Sequence, residues 1–466
     1  MPRHSLLRCV FFAIITLLLP LSASATLYEV GSLAELQARL DAAVPGDTIV
    51  LRDGDYLTSA PITIGRAGTA AEPIRIAAKT LGAVTISGSE GLRVTAGAAY
   101  VEIVGFVFTH AAGSSRVDHG ASHVRFVRNV FAGSGEGAYL TIAGADTEIA
   151  YNEFRNKATI GNMIDVRGEG GQIARRVWIH HNYFHDFENA GGNGAETIRF
   201  GLSGLSMSEG LGMIEHNLFV RCTGENELIS VKSGANTIRY NTFLDSPRAQ
   251  LTLRHGNENL VYGNYFRGTD GMRIFGDRHQ VFSNYLEGNT GGINIGNGGA
   301  EVADGAPLTS HDRPDDNVVA FNTLVDNDRQ YYMTPRNNGL GATNTAFANN
   351  IVQGGGAAAD LDGPYPGGSW SGNIVWQTSG EGAMPAGTFE HTDPRLEVGE
   401  NGLLRLRSDS PAVDSATGEY PRVELDMDGQ ARTGAKDRGA DEISAGPAVA
   451  APLTEEMIRQ IIAEAG

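Results

Sequence analysis

Two glutamates and a lysine form the densest group of residues in this sequence that could do chemistry. Glu225 and Glu227 are separated by one residue, so on an extended strand their side chains point to the same side. Paired carboxylates on one side can share a hard cation such as Ca²⁺, although each alone would be an ordinary surface charge. Lys232 follows this pair, and Arg254 with His255 comes about one repeat later.

A lysine beside a bound cation and an arginine could act as a base. Like charges nearby disfavour the ammonium form, which lowers the pKa of a lysine toward neutrality. Lys232 could then take a proton from carbon. Strict alternation along a strand places Lys232 on the face opposite Glu227, because Lys232 comes five positions, an odd number, after Glu227. A turn or a bulge between them must therefore re-aim a side chain.

The elements that must position these residues come from a repeat. A β-branched residue, three variable residues, Asn, one variable residue and Phe recur through the middle of the chain. Most of the gaps match one coil of a parallel β-helix, in which short strands bury a continuous apolar column by stacking. The asparagines of the repeat are Asn129, Asn152, Asn182, Asn217, Asn241, Asn264, Asn284, Asn322 and Asn350.

The repeat predicts an all-β fold, a right-handed parallel β-helix. An Asn at each turn can hydrogen-bond along the stack and tolerates left-handed backbone geometry. The rival interpretation is a β-propeller, but its blades need about 40 to 45 residues and four strands. Ser32 and Glu35 form a capping box before the helix LAELQARLDAA, which we expect to cover the open end of the first coil.

The ends of the chain predict a leader and a tail around one β-helix domain. Arg3 and Arg8 precede an apolar run and the small residues ASA, the order typical of a secretory signal peptide. We expect a signal peptide at 1–25, a parallel β-helix domain at 26–443, and a linker with a short C-terminal helix at 444–466. That helix could dock on the body or on another chain. The protein should be exported, periplasmic or secreted, and not inserted in a membrane.

Composition excludes some partners. The formal net charge is -18 at pH 7, and removal of the leader would take away two arginines. An acidic surface argues against nucleic acid and anionic membranes as partners. A polyanionic substrate would need a locally basic groove or a bound cation. Only Cys222 remains after the leader, so the mature chain cannot form an intramolecular disulfide.

Taken together, the motifs resemble a known family, the polysaccharide lyases of family 6, which includes alginate lyases and chondroitinase B. The resemblance is carried by NGAETIRFG, by the residues from Glu225 to Lys232, and by NTIRYNTF, LTLRHGN and VYGNYFRG. The start LAELQARLDAAVPGDTIVLRDGDY and the close DMDGQARTGAKDRGADE also match, so nearly the whole mature chain is covered.

The resemblance also implies roles for individual residues. Lys232 would be the Brønsted base and Arg254 the acid. The ligands of Ca²⁺ would be Asn193, Glu196, Glu225 and Glu227. The contacts to the substrate would be His255, Arg199 and Arg273.

The function that follows is an alginate lyase that cleaves a 4-linked uronic acid polysaccharide by Ca²⁺-assisted β-elimination, leaving 4,5-unsaturated uronate ends. A second possibility is a dermatan sulfate lyase like chondroitinase B, although sulfate binding would need more basic residues than 36 Lys plus Arg against 54 acids provide. A third is a non-catalytic β-helix that binds polysaccharide. The pairing of Lys232 with Arg254 argues against it, because a pure binder has no use for a base beside a cation.

Two weaker signals are discounted. The segment from Glu424 to Gly429 resembles a calcium loop, but the twelfth position of an EF-hand is Ala435 here, so we predict a turn. His180 and His181 lack further ligands at metal-binding spacing, so a zinc site is not expected.

Overall fold

The computed structural model describes residues 25–111, 114–188, 191–302, 305–444 and 446–465, so the expected signal peptide lies outside them except for its last residue. Short strands pass in turn through three long parallel sheets, called sheets 1, 2 and 3. The chain winds as a right-handed parallel β-helix, the hand that parallel crossovers prefer. The predicted fold is confirmed. Among the described residues, no helix is long and apolar enough to span a bilayer.

Each complete coil contributes one strand to each sheet, and the coils at the two ends contribute fewer. Sheet 1 consists of Leu27–Val30, Thr48–Leu51, Ile74–Ala78, Ala99–Val104, Ser122–Val127, Glu148–Ala150, Trp178–His180, Met213–Glu215, Thr237–Arg239, Leu260–Tyr262, Gln280–Phe282, Val318–Ala320, Ala346–Ala348 and Ser369–Ser371. Sheet 2 consists of Gly54–Thr58, Val84–Gly88, Phe106–Phe108, Val130–Phe131, Glu153–Lys157, Tyr183–Phe187, Leu218–Cys222, Thr242–Leu244, Tyr265–Arg267, Tyr285–Glu287, Thr323–Val325, Ile351–Gln353, Asn373–Trp376 and Phe389–His391. Sheet 3 consists of Ile62–Ile64, Leu92–Val94, Ser115–Val117, Leu140–Ile142, Ile164–Val166, Ile198–Gly201, Glu227–Lys232, Gln250–His255, Met272–Ile274, Ile293–Ile295, Tyr331–Met333 and Ala359–Leu361.

A helix at Leu33–Ala42 covers the first coil. Ser32 Oγ accepts a hydrogen bond from the backbone N–H of Glu35 at 3.2 Å, as the capping box predicted. Leu36 and Leu40 are buried in the same core cluster as the early strands, so the open end of the core is closed. The remaining short elements are the antiparallel pairs Gly168–Glu169 with Gln172–Ile173 and Leu396–Val398 with Leu404–Leu406, a 3-10 turn at Ser203–Leu205, and a helix at Glu455–Glu464.

The repeat asparagines form a buried ladder at the turn between sheets 1 and 2. Each Nδ2 donates to the Oδ1 of the next asparagine at 2.9 to 3.1 Å, from Asn129 through Asn350 and on to Asn373. The prediction of a hydrogen-bonded column is confirmed, but left-handed geometry belongs to the residue before each asparagine. Tyr151, at φ 57°, and His216, at φ 51°, are two examples.

We expect Asn217→Ala to lower the free energy of unfolding by about 3 kcal/mol, because several buried hydrogen-bonding groups lose their partner at once. Asn217 is fully buried, donates to two carbonyls and to Asn241, and accepts from Asn182. Urea denaturation of this variant beside Asn401→Ala, which changes an exposed loop residue, measures the difference. Equal stability of the two variants would contradict a structural role for the ladder.

The C-terminal tail runs back over the coils, against the direction in which they stack. The backbone N–H of Ala440 donates to Thr323 Oγ1 at 2.9 Å. Further along, the backbone N–H of Leu453 donates to Thr242 Oγ1 at 2.8 Å, several coils closer to the N-terminus. The tail therefore touches a succession of coils along sheet 2.

The helix Glu455–Glu464 ends this path and docks on the body of the protein. Arg128 Nη1 donates to the carbonyl of Ala465 at 2.6 Å, so the last described residue reaches an early coil. The sequence left open whether this helix docks on the body of the protein or on another chain. In the structure it docks on the body. The buried residue Ile458 packs in one cluster with Tyr183, Leu218, Val220 and Leu453.

Candidate active site

A β-bulge re-aims the strand Glu227–Lys232 of sheet 3. Its register against the following strand shifts between Glu227 and Ile229, which makes Leu228 an extra residue. Leu228 and Ile229 both belong to the buried core. The extra residue moves the alternation by one position, so that Glu227 and Lys232 share the outer face of the sheet. The bulge that the sequence required is present.

A second bulge lies in the following strand, Gln250–His255. The register shifts again where Lys232 pairs with His255, which makes Arg254 the extra residue. Arg254 lies with its Nε 3.4 Å from Glu227 Oε1. His255 is buried, and burial, followed by Arg254 and Lys232, lowers its pKa to about 3, so its ring is neutral at pH 7. The two bulges together bring a lysine, an arginine and a glutamate to one place.

Three carboxylates converge beside these residues. Oxygens of Glu196, Glu225 and Glu227 lie within 4.8 Å of one another. Glu225 is held by the loop of the preceding coil, where the backbone N–H groups of Gly194 and Ala195 donate to its Oε2 at 2.6 and 3.2 Å. The cluster therefore joins residues from two successive coils.

The other two carboxylates are held by side chains. Asn162 Nδ2 donates to Glu196 Oε2 at 2.8 Å, and the hydroxyl of Ser230 donates to Glu227 Oε2. One detail of the sequence analysis is wrong: Glu225 and Glu227 are not on one strand, because Glu225 lies in the bend before it. Their carboxylates meet because the bend folds Glu225 against the preceding coil.

The charges of this cluster fit a bound cation. Burial and the neighbouring carboxylate of Glu196 raise the pKa of Glu225 above its usual value. For Glu196, burial acts in the same direction, but the charge of Lys232 and the bond from Asn162 outweigh it and lower the pKa. Buried carboxylates this close repel one another, and an oxygen-only donor set suits a hard divalent cation.

Positively charged side chains line the other side of the cluster. Lys232 Nζ lies 2.9 Å from Glu196 Oε1, and Arg273 Nη2 lies 2.5 Å from Glu227 Oε1. The pKa of Arg254 lies below its usual value because the guanidinium is buried, and the charge of Arg273 adds to this while Glu227 opposes it. A base candidate, an acid candidate and a candidate cation site therefore lie on one face of sheet 3.

The remaining expected site residues lie around this centre. Arg199 stands in register with Ser230 on sheet 3, and its Nε and Nη2 bind Asp165 at 2.9 and 2.7 Å. Asn193 is exposed in the bend that leads to Gly194, the donor to Glu225. Both are near the cluster, and Arg199 is already paired with an acid.

Sequence reasoning missed Asn162, Ser230 and Asp165. A signal for Asn162 was available, because it stands two residues before Ile164, as Glu196 stands two before Ile198. Ile164 and Ile198 are partners in sheet 3, so an alignment of sheet 3 strands would have brought Asn162 beside Glu196. The same alignment would have paired Asp165 with Arg199.

A second acidic cluster contains Asp426, Asp428 and Asp441. Arg405 binds both Asp428 and Asp441. Asp426 Oδ1 accepts from the backbone N–H groups of Asp428 and Gln430, as expected for the predicted turn. This cluster lies in the C-terminal part of the chain and outside the strands of sheet 3.

Comparisons with known proteins agree with the fold. The family model for chondroitinase B matches residues 30–345. The solved structure of AlyGC, an alginate lyase of the PL6 family, is 26% identical with a TM-score of 0.74, and the match covers 86% of this chain. The chain spans only 60% of the length of AlyGC. No curated protein sequence matches significantly.

Two further solved structures are similar. A mannuronic acid specific lyase of polysaccharide family 6 from human gut microbiota is 29% identical, with a TM-score of 0.67, and the match covers 76% of this chain and 86% of that one. A PL6 alginate lyase in complex with a trisaccharide shares the fold at 22% identity and a TM-score of 0.66, over 84% of this chain and 93% of that one. The chain belongs to the chondroitinase B family, the parallel β-helix polysaccharide lyases of family 6.

Proposed function

We propose that this protein is an exported alginate lyase that cleaves its polymer by β-elimination, with Lys232 as the base and Arg254 as the acid. One observation carries the proposal: the two bulges in sheet 3 direct both side chains to the face where three carboxylates converge. A protein that only bound polysaccharide would not need a lysine there. Relatives described as alginate lyases support alginate as the polymer.

The chemistry follows from a 4-linked uronic acid, whose C5 proton is weakly acidic because it is alpha to a carboxylate. Nζ of Lys232 takes this proton. Arg254 stabilises the negative charge that develops and assists the departure of the C4 oxygen. The C5–H and C4–O bonds break, a C4=C5 double bond forms, and no water is added, in contrast to hydrolysis by paired carboxylates.

Glu196, Glu225 and Glu227 would hold Ca²⁺, with Asn193 as a further oxygen ligand. The bound cation would neutralise the carboxylate of the substrate and so make the C5 proton more acidic. Arg199, Arg273 and the neutral ring of His255 would position the sugar. Arg273 is the best placed of these, because it borders both Glu227 and Arg254.

The test is a rise in the ultraviolet absorbance of the unsaturated uronate when purified protein is mixed with alginate and, separately, with dermatan sulfate. We expect a rise on alginate that a calcium chelator abolishes and added Ca²⁺ restores. A rise on dermatan sulfate alone would favour the second substrate. Binding of alginate without any rise would overturn the lyase and favour a non-catalytic binder.

A further inference from the structure

A basic surface lies beside the candidate active site, on the side of the later coils. His311 comes from the connection between sheets 3 and 1, and Arg336 follows the strand Tyr331–Met333. The ring of His311 stacks on Phe275, with centroids 4.4 Å apart. Phe275 directly follows the strand of Arg273, so this surface continues from the active site.

A hydrogen bond fixes the state of His311. Arg336 Nη2 lies 2.7 Å from His311 Nδ1, and a guanidinium can only donate, so Nδ1 accepts. The ring is therefore neutral and carries its proton on Nε2. Burial and the charges of Arg254, Arg336 and Arg273 also lower the pKa of His311 to about 3. The imidazole leaves one N–H to donate to a ligand.

The guanidinium of Arg336 carries a positive charge with no ion-pair partner among the described residues. Its side chain is exposed, and it lies 5.9 Å from the ring of Phe275. Arg254 and Arg273 already share Glu227. The surface therefore has an excess of positive charge on a protein that is acidic overall.

The position of Arg336 depends on a glycine. A Cβ added to Gly299 would lie 2.5 Å from Arg336 Nη1. The side chain of Arg336 therefore packs across the backbone of Gly299 on one side and against His311 on the other. This arrangement holds a guanidinium that has no acidic partner beside the face of sheet 3.

Resting on the lyase proposed above, we propose that Arg336, held in place by His311, binds the carboxylate of a second uronate unit, next to the unit that is cleaved and on the side of the later coils. The N–H groups of the guanidinium that His311 does not use can donate to the two oxygens of one carboxylate. Phe275 supports the imidazole ring from below. This site is separate from the carboxylate cluster, because here a positively charged protein side chain, and not a metal ion, binds the carboxylate of the substrate.

The test is the kinetics of Arg336→Gln on alginate oligomers of increasing length. We expect the KM for long oligomers to rise about tenfold with kcat within about twofold, because one charge-assisted contact is lost and the reacting groups are unchanged. The rise should disappear for oligomers too short to reach the site. Arg336→Lys should recover part of the affinity, and Gly299→Ala should raise KM by displacing the guanidinium.

Arg407→Gln is the matched control, because it removes an exposed arginine in the C-terminal part of the chain and should leave KM unchanged. If wild-type protein cleaves alginate but Arg336→Gln keeps its KM at every length, the second carboxylate site is wrong and the lyase stands. If wild-type protein cleaves no alginate, the proposed function fails and this site fails with it.

Discussion

Replacing Lys232 with alanine is expected to lower kcat on alginate by about three orders of magnitude, because the only group proposed to accept the C5 proton is lost. Lys232 is partly exposed, so its truncation leaves no enclosed cavity, but it removes the ion-pair partner of the buried Glu196. Initial rates from the absorbance of unsaturated uronate measure the loss, and circular dichroism checks the fold.

The variant Lys232→Arg distinguishes the role of Lys232 as a base from the role of its positive charge. An arginine preserves a positive group beside Glu196 but does not release its proton in proteins, so this variant should be nearly as inactive as Lys232→Ala. Lys79→Ala removes a half-exposed lysine paired with Glu29 and should have wild-type rates. Substantial activity in Lys232→Arg would mean that Lys232 acts only through its charge and that another group removes the proton.

Glu225→Gln is expected to weaken Ca²⁺ binding by about two orders of magnitude, since it removes a charged ligand from a three-carboxylate site. Calorimetric titration with Ca²⁺ measures this directly, without substrate. Saturating Ca²⁺ should raise the Tm of the wild-type protein, because a ligand that binds only the folded state stabilises it. This rise should be much smaller for the variant.

The calcium-free variant tests the electrostatics of the same cluster. Burial and the neighbouring carboxylate of Glu196 raise the pKa of Glu225, so its charge is unfavourable when no cation is bound. Glu225→Gln should therefore have a calcium-free Tm no lower than that of wild type. Glu258→Gln, at an exposed glutamate paired with Arg278, should leave both measurements unchanged. Unaltered Ca²⁺ affinity in Glu225→Gln would refute the ligand assignment.

The fold could be predicted from the sequence because each repeat unit contains the residues that determine its own local structure. Each unit carries its own turn residue and apolar positions, and stacking is the one arrangement that buries all of them. Asn217 and its neighbours in the ladder therefore stood out by spacing alone. The left-handed residues did not, since Tyr151 and His216 share no residue type and adopt this geometry only because the ladder constrains the next position.

The candidate site was harder to predict because it depends on exceptions to the repeat. Alternation along a strand separates Glu227 from Lys232, and only the register shift at Leu228 reunites them. A bulge depends on the pairing of two strands, which single-sequence periodicity does not describe. His311 and Arg336 come from connections outside the repeat, where spacing contains no information about which loops meet.

The returning C-terminal tail changes how such a molecule can come apart. In a simple stack, each coil contacts only its neighbours, so an end coil can peel away without disturbing the middle. Here the contact of Arg128 with the carbonyl of Ala465 ties an early coil to the end of the chain, and Leu453 ties the tail to a central coil. The C-terminal coils can therefore unfold only after the tail has lost its contacts with several other coils. This makes unfolding of the stack more cooperative and opposes fraying from the C-terminal end.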